Sequence, residues 1–357
     1  MRTVVISDLH LGDTQERDVL RRPGPLAGLV AALAPGDRLV LLGDALELRF
    51  GPLRDALAVA APVLSALGDA VGAEGELVLV PGNHDHALLD DWRSARAAAA
   101  QEAAPLTLAE TLPVEGPALR RLAETVAPAP LRVAYPGLWL REDVYAIHGH
   151  YLDRLITIPT FERLGAGAMA RVAGPLPADA APEHFEEALA PMYAWMHAVA
   201  QSRRASWTAA RQSSSASTWA LLAGERHGSL RGRLTRVGFR AAVATLNRAG
   251  LGPVQAELSG VELRRAGLRA MGETVARLGV EAEHVVFGHT HRSGPLPDDD
   301  PGEWRGRSGA RLHNAGCWKD EPSFAVGGPA SPYYAGRVIV VDAEGPPRLE
   351  RVVTELR

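Results

Sequence analysis

The chain has 357 residues, 46% of them hydrophobic and 22% charged, and a net charge of −4. That composition suits a soluble globular protein, one large α/β domain with an insertion or two domains, and the charge makes no case for a nucleic-acid partner. Cys317 is the only cysteine, which excludes an intrachain disulfide and a thiolate metal site. No apolar run approaches the ~20 residues of a membrane span, and Met1-Arg2 leads directly into a strand, so a cytoplasmic protein is expected. Lys319 is the only lysine among 38 basic residues, which in so alanine-rich a chain reads as a base-composition bias.

Residues 3–7 spell a short β-branched strand that runs into Asp8-Leu9-His10. A helix is predicted over 26–34, stopped by Pro35-Gly36, and a strand over 38–42 that ends in Gly43-Asp44-Ala45-Leu46-Glu47. A second helix is predicted over 52–71, stopped by Gly72, and a third strand over 76–80 that ends in Pro81-Gly82-Asn83-His84-Asp85. Strand, helix, strand, helix, strand is the pattern of a mostly parallel, layered α/β sheet. Residues 90–104 read as helix, 105–130 as a proline-rich connection with one short helix, and 131–140 as two strand pieces around Pro136-Gly137. A strand over 143–147 then ends in His148-Gly149-His150. From 151 to about 275 only helical segments are predicted, with 15 Arg against 10 acidic residues, a net +5 that leaves −9 for the rest. The strand at 284–287 ends in Gly288-His289-Thr290-His291, and β-structure is predicted over 311–318 and 337–342.

Five strands therefore end in possible metal ligands: Asp8 with His10, Asp44, Asn83 with His84, His148, and His289 with His291. Seven of the twelve histidines lie in or beside these endings. Oxygen and imidazole donors without thiolate suit Mn²⁺, Fe²⁺/³⁺, Zn²⁺, Co²⁺ or Ni²⁺. In an open α/β sheet, ligands gather beyond the carboxyl ends of the strands, and a parallel sheet would bring these endings to one edge. His86 reads as a solvated loop residue, Asp85 as the close of the turn, and His184, His197, His227, His284 and His313 as structural.

The ordered set Asp-x-His, Gly-Asp, Gly-Asn-His-Asp, His-Gly-His and Gly-His-Thr-His resembles the calcineurin-like metallophosphoesterase superfamily, over about 1–150 and 276–342. The resemblance implies a four-layer α/β/β/α sandwich carrying two divalent ions, manganese being the expected pair. It implies a catalytic domain over 1–150 and 276–357 and a helical insertion, or cap, over 151–275. Carried over residue by residue, Asp8, His10, Asp44 and His291 would hold one ion. Asp44 would bridge to a second held also by Asn83, His148 and His289. The implied chemistry is hydrolysis of a phosphoester or pyrophosphate bond by a metal-bridging hydroxide, the ions lowering the pKa of water towards about 7. His84 would face substrate as general acid, oriented by Glu47 at the place where phosphatase members carry Asp. His150 is divided between a hydrogen-bonding role behind the ligands and a contact with substrate. Asn314-Ala315-Gly316-Cys317-Trp318 resembles a turn that backs the second His pair in the superfamily.

Ser-Asp-Leu-His-Leu-Gly and Gly-Asp-x-x-Glu look most like the branch containing UDP-diacylglucosamine pyrophosphohydrolases, which has a shorter helical lid between the same two motifs. That branch usually has His-Gly-Asp where this chain has His150. A phosphorylated small molecule, nucleotide or lipid-linked substrate is expected. Phe185, Leu189, Met192, Met196 and Val199, with Trp195 alongside, recur at helical spacing and read as the insert's own small core or its packing on the body; a surface facing acyl chains or a membrane is the alternative. Arg203, Arg204 and Arg211 would suit a phosphate-rich substrate or a solvated surface. Two further readings remain: a nuclease or phosphodiesterase, and a non-catalytic scaffold of this fold. Repair nucleases share the early motifs but keep the last two close together, and scaffolds lose the histidine present here as His84.

Overall fold

The computed structural model describes residues 1–99, 104–158, 163–168, 174–201, 243–248, 253–254, 260–322 and 324–356. Arg203, Arg204, Arg211 and His227 lie outside them. The chain is a mixed α/β protein built on a central sheet. Its first half alternates β1 (Thr3–Ile6), α1 (Pro23–Ala31), β2 (Arg38–Leu42), α2 (Leu53–Val71) and β3 (Glu76–Val80). Then follow α3 (Asp90–Ala98), β4 (Ala109–Leu112), α4 (Gly116–Val126), β5 (Leu131–Arg141) and β6 (Val144–Ile147). The rest is α5 (Pro182–Gln201), α6 (Gly260–Arg277), β7 (His284–Phe287), β8 (Arg311–Asn314), β9 (Arg337–Val341) and β10 (Arg348–Arg351). Among the described residues no helix is long and apolar enough to cross a membrane.

The sheet order is β10-β9-β1-β2-β3-β5-β6-β7-β8, with β4 paired to β5. β1, β2, β3 and the start of β5 are parallel, and so are β6, β7 and β8, but β5 and β6 are antiparallel. One parallel edge therefore does not account for the gathering of the strand endings. The device is β5, which the sequence reading split at Pro136-Gly137 and which is one strand of 11 residues. Leu79 of β3 pairs with Val133, and Ile147 of β6 with Gly137. The C-terminal ends of two oppositely running ladders thus arrive at neighbouring positions along one strand. Pro136 lacks a ladder donor, and it falls where β5 exchanges one set of partners for the other. The short edge strands β4 and β10 were not predicted, since Ala109–Leu112 and Arg348–Arg351 carry almost no apolar alternation.

Strand side chains alternate between two apolar surroundings with the period of two that pleating imposes. Val4, Ile6, Leu39, Leu41, Leu77 and Leu79 pack with α1, α2 and α4 through residues such as Leu29, Leu64, Leu67 and Leu122. The alternate residues Val5, Val40, Leu42, Val78 and Val80 join Leu138, Val144, Ala146, Val286 and Ile339 in a cluster to which, among the described residues, no helix contributes. On the other half, Tyr145, Ile147, Val285 and Phe287 pack with Ala266, Met271 and Val275 of α6 and with Phe185, Leu189, Met192 and Met196 of α5. The helical stripe predicted at 185–199 is therefore core, while Trp195 is 56% exposed.

Each fully buried Val, Leu, Ile, Phe or Met side chain among these stabilises by about 1.5–3 kcal/mol of transfer free energy. Leu79→Ala, which empties a site between β3 and the helices, should lower stability by about 2–5 kcal/mol in denaturant unfolding.

Candidate metal centre

The strand endings share a backbone habit. Asp8, His10, Asp44, His289 and His291 have positive φ, from 49° to 64°, and Glu16 is the only other non-glycine residue with it among those described. L-residues hold that conformation only where their surroundings over-determine it, and such positions cluster at functional sites. Here the loops are stitched to one another: His10 N–H donates to Asp44 O at 2.8 Å, Leu11 N–H to Ala45 O at 3.0 Å, and Trp318 N–H to Asp8 O at 3.0 Å. Gly43, at φ +84°, has no room for a side chain, since a Cβ would lie 2.0 Å from His148 Nδ1.

The carboxylates are divided between holding the loops and facing inward. Asp8 Oδ2 accepts from Ser7 Oγ at 2.6 Å and from His289 N–H at 2.9 Å. Its Oδ1 is buried and has no hydrogen-bond partner. Asp44 Oδ1 accepts from His84 N–H at 2.8 Å, while Oδ2 lies 3.4 Å from His148 Nε2 and 3.9 Å from both His10 Nε2 and His84 Nε2. Asp85 does more than close its turn. Fully buried, it accepts from the amides of Ala45, Leu46 and Gly82 at 2.7, 3.2 and 2.6 Å, tying the β2 and β3 endings together.

Acceptors behind the imidazoles decide which nitrogen faces the centre. Nδ1 of His10 donates to Glu47 at 3.0 Å, Nδ1 of His291 to Glu321 at 3.2 Å, and Nδ1 of His148 to the Leu42 carbonyl at 2.9 Å. His289 is turned the other way, with Nε2 3.1 Å from both oxygens of Asp153, so its Nδ1 points inward. His10 Nε2 and His291 Nε2 face each other across 3.1 Å, and Asp8 Oδ1 lies 3.3 Å from the second. Burial pushes the His291 ring down, but Glu321 and Asp8 outweigh it and hold it well above the usual imidazole range, so the three atoms draw a cation, a proton or a metal ion, between them. Each of these carboxylate–histidine pairs is the arrangement that fixes a metal-ligating ring.

Donor atoms within 4.8 Å of one another form the groups Asp8–His10–His291, Asp44–His148–His289 and His10–Asp44–His84. Asn83 Oδ1 joins the second, 3.2 Å from His148 Nε2. His84 differs from the others. Its Nδ1 is held by both Glu47 oxygens, at 2.8 and 2.9 Å, and its Nε2 accepts from Arg49 Nη1 at 3.1 Å. A guanidinium at that nitrogen is incompatible with a second cation there. Burial pushes the Glu47 carboxyl up, but His84 and His10 outweigh it and hold it well below the usual carboxylate range. A further group, Asp143–Glu283–His284, lies at the start of β7, where Asp143 is already bound by two nitrogens of Arg141.

One histidine departs from expectation: His86 is buried, not solvated, and bonds Glu186 of α5 at 3.1 Å. His150 has no exposure and lies among Tyr135, Tyr151 and Tyr193 behind His148. Of the two roles read for it, that position favours the one behind the ligands, and the cavity of about 280 Å³ over Asp44, Asn83, His84, His289 and His291 is not lined by it. Arg49, Asp153, Lys319 and Glu321 also serve the centre, and the sequence reading assigned them no part in it. Nothing in their local sequence marks them, since each meets its partner across the fold.

A family model described as calcineurin-like phosphoesterase matches residues 1–180, half of the chain, and the chain belongs to that family. Family membership and the clustered His and Asp residues fit a metal-dependent phosphoester hydrolase. No curated protein matches the chain. Among solved structures, a cold-active protein-tyrosine phosphatase from the psychrophile Shewanella sp. aligns at 13% identity over 96% of this chain and 75% of that one. Its TM-score of 0.30 is too low to bear on fold or function.

Gly43→Ala should turn the His148 ring off its donor position. The purified variant, analysed for bound metal after loading with Mn²⁺, should hold less than wild type.

Proposed function

We propose that this protein hydrolyses phosphoester or pyrophosphate bonds using two divalent cations, manganese being the expected pair, held at the junction of the two strand ladders. The observation that carries the proposal is the facing pair of His10 and His291 Nε2 atoms beside the unpartnered Asp8 Oδ1. Asp8, His10, Asp44 and His291 would hold one ion, and Asp44, Asn83, His148 and His289 the other, with Asp44 Oδ2 shared. When bound, such ions supply Lewis acidity and an activated water for in-line attack at phosphorus.

The remaining roles belong to the chain itself. Asn83 is a neutral donor, so it completes a site without adding charge that would repel a phosphate. His84 is the proposed general acid. Glu47 fixes its proton-bearing Nδ1, which leaves Nε2 directed at the site. With Nε2 accepting from Arg49 the ring carries no proton there, so to act as an acid His84 must first take up a second proton at Nε2 and then turn that N–H from Arg49 to the leaving oxygen. His150 is assigned to support of His148.

The finer architecture is part of the same proposal. The helix-free apolar cluster formed by strands of both ladders, flanked by two clusters with helices, supports a four-layer α/β/β/α sandwich. Residues 151–275 are proposed as the cap that selects substrate, between catalytic segments 1–150 and 276–357. The branch resembling UDP-diacylglucosamine pyrophosphohydrolases makes a nucleotide or lipid-linked diphosphate the first substrate to try. The competing nuclease reading is tested by the same assay.

Purified protein with Mn²⁺ should turn over at least one of a monoester, a diester, a nucleotide-diphosphate sugar and single-stranded DNA. No turnover of any of them, with two metals per chain confirmed by elemental analysis, would refute the hydrolase proposal and favour a scaffold. Removal of a general acid typically costs about 10²–10⁴-fold. His84→Ala should lose activity on that scale with both metals retained, whereas Asp44→Ala should lose metal; an empty site in the His84 variant would make His84 a ligand.

A further inference from the structure

The one lysine of the chain stands where composition would least suggest it. Of 38 basic residues, 37 are arginine, and Lys319 is buried. Its backbone is fixed by a bridge to Asp18, directly after the turn whose Trp318 donates to Asp8 O. The ammonium lies 3.2 Å from Asp13 Oδ2 and 4.0 Å from Glu47 Oε2, and all three side chains are nearly inaccessible to solvent. That Glu47 oxygen is also the acceptor for His10 Nδ1 at 3.0 Å and His84 Nδ1 at 2.9 Å. On the far side, Asp13 is held by Arg17 at 3.0 Å.

We infer that Lys319 is a positioning residue for the His84–Glu47 pair, acting through the carboxylate and not on substrate. This rests on the hydrolase reading above. Glu47 serves two rings at once with one carboxylate that has no exposure to solvent. A positive charge behind Oε2 anchors the carboxylate against swinging wholly to either imidazole. The residue type follows from the space. An ammonium is a compact charge with rotatable donors, whereas a guanidinium is a wide planar fork that needs several acceptors set in its plane. A composition bias towards arginine accounts for 37 positions and leaves this one to be explained by its contacts.

The test is a double-mutant cycle on the Mn²⁺-loaded protein with bis(p-nitrophenyl) phosphate as probe substrate. Lys319→Met should retain both metals and its KM within about threefold while kcat falls about tenfold or more, and Lys319→Arg should recover part of the loss. In a Glu47→Gln background the same Lys319→Met change should alter kcat by less than about twofold, because coupled residues are non-additive. Equal losses in the two backgrounds, or an unchanged kcat in Lys319→Met, would overturn the inference. If Lys319→Met does not fold by circular dichroism, Lys319→Gln, which also removes the charge, takes its place in the cycle with the same criteria. A readout independent of turnover is the downfield proton resonance of His84 Nδ1–H, assigned by its absence in His84→Ala. It should be present in wild type and lost to exchange in Lys319→Met. If wild type turns over no substrate, the hydrolase reading fails by itself, and persistence of that resonance in the lysine variant separately rejects the positioning role.

Discussion

Electron pairs aimed at one another in a dry interior are the constraint on which this molecule turns. Asp8 Oδ1, His10 Nε2 and His291 Nε2 converge within 3.1–3.9 Å, and the rings draw a cation, a proton or a metal ion, between them. Their outer nitrogens are committed to Glu47 and Glu321, and Glu321 is itself held down to about 2, burial raising it but His291 outweighing burial. Burying several carboxylates without compensation costs several kcal/mol each. A cation between the ladders removes that cost and satisfies all three donors together. With the ions proposed above, folding and metal binding would be coupled, because the unfolded chain has no such site to offer.

The same constraint explains the strained backbone. Five of the six non-glycine residues with positive φ are proposed ligands, and each such conformation costs on the order of 1–3 kcal/mol. The turns are held by hydrogen bonds between strand endings, by the buried Asp85 beneath two of them, and by glycines at places where a Cβ would strike a ligand. Strand endings of opposite direction meet only because β5 is long enough to pair with β3 along its first part and β6 along its second. Shortening β5 by a few residues would separate Asp44 from His148.

How much of this was legible in the sequence depends on distance along the chain. Asp8, His10, Asp44, Asn83, His84, His148, His289 and His291 each stand directly after an apolar run, so strand and ligand announce one another. Glu47 was singled out through the family resemblance alone, at the place three residues after Asp44 where phosphatase members carry Asp. Asp153, Glu321 and Lys319 were not, since an acidic residue in a helical turn or a lysine after a loop has no local pattern, and their partners lie 136, 30 and 272 residues away. Composition misled at Lys319, where a global bias concealed a local exception. His86 was misjudged because its partner, Glu186, belongs to a segment 100 residues on.

That last contact changes what the insert does. Glu186 of α5 takes hydrogen bonds from Tyr135, Tyr151 and His86, joining β5 and the turns after β3 and β6 to one carboxylate. Burial pushes its carboxyl up, and His86 with the other donors outweighs that to hold it near about 2, so the helix brings a fixed negative charge beneath itself. From the same helix, Met196 Sδ receives Arg49 Nη2 at 3.1 Å, and Gln201 bonds Leu53 N–H and the Gly51 carbonyl at 3.1 and 3.3 Å. The loop that carries Glu47 and Arg49 is thus clasped from outside by α5 while its inner side holds His84. A displacement of α5 would reach His84 through Arg49 and also through His86, which Glu186 holds in the same turn. On the function proposed above, substrate selection by the insert and proton transfer at the site would be mechanically joined through these contacts.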